Sequence, residues 1–124
     1  MVQRGFRRAE RVSATVLRIL SESLTRDIRD PRLGAVVFTK ADMNDDLRIA
    51  TVQFQLLGKQ CSPESSEVRE ALAGLENAKG FFRRELGSGL QIKFTPDLRF
   101  YFDTSLTTIM RINEILEQVR PSDQ

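Results

Sequence analysis

The stretch EVREALAGLENAKGFFRRELG, residues 67–87, decides how the 124-residue chain folds. Its apolar residues recur at steps of three, four and seven, which is the spacing of one helix face. Gly74 and Gly80 interrupt this pattern, and each costs about 1 kcal/mol relative to alanine inside a helix. We therefore predict a helix, a kink at Ala78-Lys79-Gly80, and a second helix that begins with basic side chains.

The predicted kink has the properties of an anion-binding site. Glycine carries no Cβ, so a polyanion can approach the backbone at Gly80 closely. A helix that begins just past the kink would offer free N–H groups and a partial positive charge to a phosphate. Lys79, Arg83 and Arg84 add formal charge at the same point. The alternative is an ordinary helix break with exposed cations, and the stretch alone does not decide between them.

Composition limits the class of protein. The length suits one domain with a single core, and no run approaches the ~20 apolar residues of a membrane span. A single cysteine, Cys61, excludes an internal disulfide and fits a reducing, cytoplasmic compartment. The chain has no histidine, which argues against a zinc site and excludes Ser-His or Cys-His catalysis. We expect no cofactor, no metal and no small-molecule substrate.

Charge is segregated along the chain. Residues 1–40 carry nine basic and four acidic side chains, and residues 78–102 carry five and two. The two remaining blocks, 41–77 and 103–124, are net acidic. This pattern favours one face adapted to an anion, although a mixed, solvated surface is the alternative.

The N-terminal residues MVQRGFRRAER form an arginine-rich lead. A transit peptide would be longer and richer in serine, and a merely solubilising arm would not need arginine. We favour a basic arm that leads into a helix over about residues 8–28 and follows phosphates, because guanidinium groups pair with phosphate in bidentate fashion. Its candidate phosphate ligands are Arg4, Arg7, Arg8 and Arg11.

The remaining elements alternate between turns, strands and helices. Asp30-Pro31 ends the first helix, and the turn that follows lets Gly34 take a positive φ and lets Arg32 reach the same partner. Residues 35–42 and 47–57 have the alternation of an antiparallel hairpin. Ser62 before Pro63 is the predicted N-cap of the kinked helix.

The C-terminal third is predicted to supply a third strand and a last helix. In residues 91–103, alternation directs Phe94 inward and directs Lys93, Arg99 and Tyr101 outward. A helix over 106–119 and a frayed tail at 120–124 complete a single domain over residues 1–119. The order α-β-β-α(kinked)-β-α gives an α+β two-layer fold, a three-stranded sheet with helices on one face.

Two clusters compete as chemical sites. Asp42, Asp45 and Asp46 could hold Mg²⁺ or Ca²⁺, although a solvated β-turn is the favoured interpretation. Lys93 and Arg99 flank Tyr101 on the outer strand face, and cations beside an available aromatic ring are how irregular RNA is held.

These residues resemble the ribosome-binding factor A family over about residues 6–119. The resemblance rests on arginines at the start of helix one and on five further segments. These segments are Asp30-Pro31-Arg32-Leu33-Gly34, Asp46-Leu47, Ala50-Thr51-Val52, Ala78 to Gly87, and Pro96 to Asp103. It implies a type-II KH-like domain in which Ala78-Lys79-Gly80 replaces the GXXG loop that clamps nucleotides.

The resemblance also implies a function. The protein would be a monomeric, non-catalytic assembly factor that binds the free or immature small ribosomal subunit and its rRNA. It would assist late maturation, including 5′-end processing, notably in the cold. Many family members carry a longer charged C-terminal extension than this chain. The rival hypotheses are a small metal-dependent phosphodiesterase and a protein–protein adaptor that uses the open sheet face. The expected RNA-binding residues are Arg4, Arg7, Arg8, Arg11, Arg32, Lys79, Gly80, Arg83, Arg84, Lys93 and Arg99.

Overall fold

The computed structural model describes residues 2–58 and 61–105, with side chains from residue 7 onward. The elements are α1 (Val2–Asp27), a short 3-10 turn (Pro31–Leu33), β1 (Val36–Met43), β2 (Ile49–Leu56), α2 (Ser66–Gly89) and β3 (Asp97–Phe102). The predicted last helix at 106–119 and the tail at 120–124 lie outside the described residues. No described helix has both the length and the hydropathy needed to cross a bilayer.

The sheet has the order β1-β2-β3, with β1 and β2 antiparallel and β2 and β3 parallel. Ala50, Val52 and Phe54 of the central strand are fully buried beneath the helices. Along β1 the buried residues alternate with exposed ones except at a bulge between Phe38 and Lys40. The predicted hairpin and the α+β arrangement with helices on one face are therefore confirmed.

Helix α1 begins at Val2, so the arginine-rich lead is helical and not a separate arm. Its apolar stripe packs on the sheet through Val16, Ile19 and Leu20, while Arg8, Arg11 and Arg18 are exposed. The prediction of an arm distinct from the helix is wrong, because nothing in residues 2–8 breaks a helix: the lead contains no proline, and its single glycine is tolerated.

Helix α2 is one continuous α-helix over Ser66–Gly89, and the predicted second helix start at Ala78-Lys79-Gly80 is wrong. The residues past Gly80 are interior to the helix, so their N–H groups bond within it and are not free for a phosphate. The N-cap is Ser65, whose Oγ accepts from the Val68 N–H at 3.3 Å, and not Ser62. Packing explains the continuity, because Phe82 and Leu86 are both fully buried.

The turn after α1 holds the two helices together. Asp30 caps the 3-10 turn, and Gly34 has φ −62°, so the predicted positive φ there is wrong. Leu33 is buried against Gly74, where an ideal Cβ would lie 3.0 Å from Leu33 Cδ2. Gly74 therefore allows a close approach between α2 and the turn and does not end the helix.

Candidate nucleic-acid interface

A groove opens at the end of the sheet where β1 turns into β2 and β3 begins. It has a volume of about 510 Å³. Three parts of the chain line it, namely α1, the β1–β2 turn and the segment before β3. We call it the cationic groove, and its lining residues are Arg8, Asp46, Leu47, Arg48, Lys93 and Phe94.

The β1–β2 turn is held by backbone hydrogen bonds and by the side chain of Asn44. Asn44 Oδ1 accepts from the N–H groups of Arg48 and Ile49, each at 2.9 Å. Leu47 lies at φ +59°, a left-handed conformation that costs a non-glycine residue roughly 1–2 kcal/mol. Its side chain is nonetheless buried. The turn thus buries Leu47 while leaving its neighbour Arg48 exposed in the groove.

Phe94 is half-exposed in the groove, with 47% of its surface accessible, and the prediction that it points inward is wrong. Strand β3 begins only at Asp97, so the alternation of a strand does not apply to residue 94. The Arg48 guanidinium carbon lies 4.3 Å from the Phe94 ring centroid, and Lys93 Nζ lies 5.4 Å from it. Both distances are within the range of a cation–π contact.

The groove carries more positive than negative charge. Of its lining residues, Arg8, Arg48 and Lys93 are cationic and Asp46 is the one acid. Within the described ranges, 2–58 and 61–105, none of the three cations has a carboxylate within ion-pair distance. Their charge is therefore available to an anionic ligand.

The cations of helix α2 are not among the lining residues of the groove. Lys79 pairs with Glu76 at 3.0 Å, and Arg83 Nε donates to the Pro96 carbonyl at 3.3 Å. Arg84 and Gly80 are exposed, and an ideal Cβ at Gly80 would meet nothing within 4 Å. Arg83 therefore contacts the segment that leads from the groove residue Phe94 into β3.

Helix α2 bonds to α1 through the Glu85 carboxylate. Glu85 Oε1 accepts from Arg26 Nη2 at 3.1 Å and from Ser23 Oγ at 3.4 Å. Arg83 contacts Pro96 on the β3 side of the same helix. The structure thus brings Arg8 together with Lys93 in the groove, and no α2 cation is among the lining residues of that groove.

The other predicted cations differ in their exposure and in whether a carboxylate pairs with them. Arg7 and Arg11 are exposed on α1, and the side chain of Arg4 lies outside the described part. Arg32 forms a bidentate pair with Asp30, in which Nε donates to Oδ1 at 3.1 Å and Nη2 donates to Oδ2 at 2.7 Å. The side-chain hydrogen bonds from Arg32, followed by its backbone N–H, hold the pKa of the Asp30 carboxyl below its ordinary value. The charge of Arg32 is thus already matched.

Arg99 and Tyr101 lie on the outer face of β3, away from the groove. Arg99 Nε is 3.8 Å from Asp97 Oδ2, and Tyr101 is 51% exposed. In the sheet they stand beside Thr51 and Gln53 of β2. The structure therefore separates Lys93 from Arg99, which the predicted strand had placed on one face.

Comparison with known proteins identifies the family. A family model described as ribosome-binding factor A matches residues 8–116. The chain belongs to the ribosome-binding factor A family. It is 35% identical over 119 residues to ribosome-binding factor A of Geotalea uraniireducens, covering 96% of this chain and 93% of the relative. The corresponding protein of Citrifermentans bemidjiense is 37% identical over 117 residues, covering 94% of each chain.

The fold agrees with this membership. The crystal structure of ribosome-binding factor A from Thermus thermophilus superposes with a TM-score of 0.64, covering 76% of this chain and 93% of that one at 19% identity. At that identity the likeness concerns the fold alone. Over the described residues the order α-β-β-α-β of the predicted KH-like fold is confirmed, with α2 continuous and not kinked.

The three aspartates weighed as a metal site are divided between two places. Asp42 and Asp45 line a separate depression beside α1, whereas Asp46 lines the cationic groove. Asp42 also pairs with Lys40 at 3.5 Å. Among the residues that the structure describes, no group of three potential ligands could hold a metal ion.

Two groove residues, Arg48 and Phe94, are absent from the sequence-based expectation. Arg48 was not singled out because a lone arginine after a turn carries no pattern. The alternation of residues 91–103 predicts Phe94 in the core, and Pro96, which has no N–H for a ladder bond, predicts a bulge or an edge in that strand. Proline before Asp97 was the signal that the strand starts later.

Proposed function

We propose that this chain is a non-catalytic ribosome assembly factor that binds the free or immature small subunit through its rRNA. Family membership supports the ribosome as the partner, since the relatives carry the name ribosome-binding factor A. The observation that carries the choice of rRNA is the cationic groove, where Arg8, Arg48 and Lys93 converge around a half-exposed ring. Among the residues that the structure describes, these three cations form no ion pair with a carboxylate. Phosphates and unpaired bases match this combination.

The groove holds the primary contacts in this proposal, and the cations of α2 extend them. Arg83 touches the carbonyl of Pro96, two residues from Phe94. An RNA strand that leaves the groove along the segment before β3 would therefore reach Arg83 and Arg84 next. Arg7, Arg11 and Arg4 continue the surface along α1. Arg32 and Arg99 contribute least, because each already faces a carboxylate.

The proposed role in maturation follows from the immature small subunit as the binding partner. A monomeric cytoplasmic protein that binds an immature subunit would assist its late maturation, including processing at the 5′ end of the rRNA, with the greatest effect in the cold. These steps need no chemistry from the chain itself, only binding that favours one rRNA conformation over another.

Co-sedimentation with small subunits, large subunits and joined ribosomes at two salt concentrations tests the proposal. We expect the protein to pellet with small subunits, and less so at high salt, because phosphate contacts release counterions. The double variant Arg8→Glu, Lys93→Glu should lose binding and keep its circular dichroism spectrum. The charge-matched control is Arg29→Glu, Arg69→Glu, which alters exposed arginines outside the groove.

Equal binding to all three particles, or equal loss in both double variants, would contradict the proposal. The adaptor hypothesis has one observation in its favour, the half-exposed ring of Tyr101 on the outer sheet face. If Tyr101→Ser abolished subunit binding while the groove double variant retained it, the sheet face and not the groove would be the interface.

A further inference from the structure

The Phe94–Arg48 pair is an unusual surface feature of the groove. Most large apolar side chains of the described residues are buried in one core, whereas Phe94 keeps 47% of its surface accessible. Arg48 covers part of the ring at 4.3 Å, and Lys93 Nζ is 5.4 Å from the same centroid. The ring is thus held by charged neighbours and remains accessible from the groove.

We propose that the Phe94–Arg48 pair is a stacking platform for an unpaired base of a single-stranded RNA segment. This inference rests on the proposed function and specifies which form of RNA the groove accepts. A base stacks on an aromatic ring or on a guanidinium plane, and this pair offers both. Arg8 and Lys93 line the same groove, where they can pair with the phosphates on either side of that base.

The preference for an unpaired strand follows from the geometry of nucleic acids. In a duplex the base faces are covered by their neighbours, so the Phe94 ring could reach one only after the base is unstacked. A single strand presents its bases freely, and stacking on aromatic side chains contributes about 1–3 kcal/mol per base. Phosphate contacts alone would not distinguish the two forms in this way, because both carry the same charged groups.

The chain offers a direct spectroscopic test because it contains no tryptophan. Phe94→Trp introduces one indole at the proposed platform, and stacking of a base on it quenches its fluorescence. Tyr101→Trp is the matched control, since Tyr101 is 51% exposed on the outer sheet face and does not line the groove. The probe is a single-stranded RNA of about ten nucleotides, within the usual site sizes of such surfaces.

Binding is measured separately, by fluorescence anisotropy of a dye on the RNA. We expect binding to both tryptophan variants and quenching only in Phe94→Trp. An RNA of equal length with abasic positions should bind more weakly and give no quenching. Phe94→Leu should weaken binding of the intact strand about thirtyfold, which corresponds to the middle of the stacking range, and Tyr101→Leu should not.

The two ways of failing are distinguishable. Binding that depends on Arg8 and Lys93 but leaves the indole of Phe94→Trp unquenched would overturn the stacking platform and leave the proposed function intact. Equal quenching in both tryptophan variants would also overturn the stacking platform. Equal affinity of Phe94→Leu and the wild type for the intact RNA strand would overturn it as well. Binding to RNA and subunits that is insensitive to Arg8→Glu, Lys93→Glu would overturn the proposed function itself.

Discussion

Replacing Gly80 with alanine tests whether α2 continues through the position where the sequence predicted a break. Gly80 is exposed within Ser66–Gly89, and an ideal Cβ there meets no atom within 4 Å. Alanine is favoured over glycine by about 0.8–1.0 kcal/mol inside a helix. Gly80→Ala should therefore raise the free energy of unfolding by up to about 1 kcal/mol, or Tm by about 4 °C for a domain of this size.

Gly74→Ala is the matched control on the same helix, with the opposite expected sign. Its Cβ would lie 3.0 Å from Leu33 Cδ2 and 3.2 Å from Leu33 Cγ. Leu33 is only 4% exposed, so it has little room to move. Overpacking costs about 1–3 kcal/mol and the gain in helix propensity offsets part of it, which leaves a net loss of up to about 2 kcal/mol.

Urea denaturation of the three proteins measures both effects. A Gly80→Ala protein less stable than the wild type would refute the continuous helix, since a special backbone conformation at Gly80 would then be required. Its small-subunit binding should stay within about twofold of the wild type, because the groove lies elsewhere. Greater stability with lost binding would show instead that a polyanion approaches the helix at Gly80.

Two further predictions concern the turns. Asn44→Ala removes the acceptor of the Arg48 and Ile49 N–H groups, so it should lower the free energy of unfolding, measured in urea, by about 1–2 kcal/mol. The control Asp46→Ala should change that free energy little. An Asn44→Ala protein as stable as the wild type would refute the role of the Asn44 side chain. The hydrogen bonds from Arg32 lower the folded pKa of Asp30 below the unfolded value of about 3.9. The wild type should therefore be more stable than Asp30→Asn, with the full difference in the free energy of unfolding present above about pH 5. This difference should shrink as pH falls through the folded pKa. A difference that widened on acidification would contradict this pairing.

Periodicity was enough to predict the hairpin and the buried stripe of α1. In β2 the apolar face of Ala50, Val52 and Phe54 is the face that the structure buries, and Val16 and Leu20 of α1 are fully buried as expected. These predictions hold because alternation and helical spacing are local properties that burial enforces directly. The same spacing identified the core positions Phe82 and Leu86 of α2.

Helix propensity gave a wrong prediction for α2, where tertiary packing determines the structure. Gly74 and Gly80 interrupt the helical pattern, and the kink was predicted at Gly80. In the structure Gly74 allows the contact with Leu33, and Gly80 lies on the open side of the helix. Both glycines cost helix propensity, and burial of Phe82 and Leu86 on the same helix outweighs that cost. The anion-binding helix start inferred from the glycines is therefore absent from α2.

The groove is built from three parts of the chain, and no local sequence pattern predicts that they lie together. Arg8 comes from α1, Arg48 follows the β1–β2 turn, and Lys93 precedes β3. They meet because β3 is parallel to β2, with Asp97 beside Ile49 and its N–H bonded to the Arg48 carbonyl at 2.9 Å. The sequence predicted a third strand but not its neighbour or its direction, so the convergence could not be inferred.

The salt dependence of small-subunit binding tests the central claim most directly. If phosphates of single-stranded RNA occupy the groove, Arg8→Ala with Lys93→Ala should make the log–log salt slope shallower by about 1.4, at about 0.7 for each lost contact. Arg29→Ala with Arg69→Ala removes the same charge from outside the groove and should leave the slope unchanged. Equal slopes in the two double variants would contradict the claim that the groove holds the RNA.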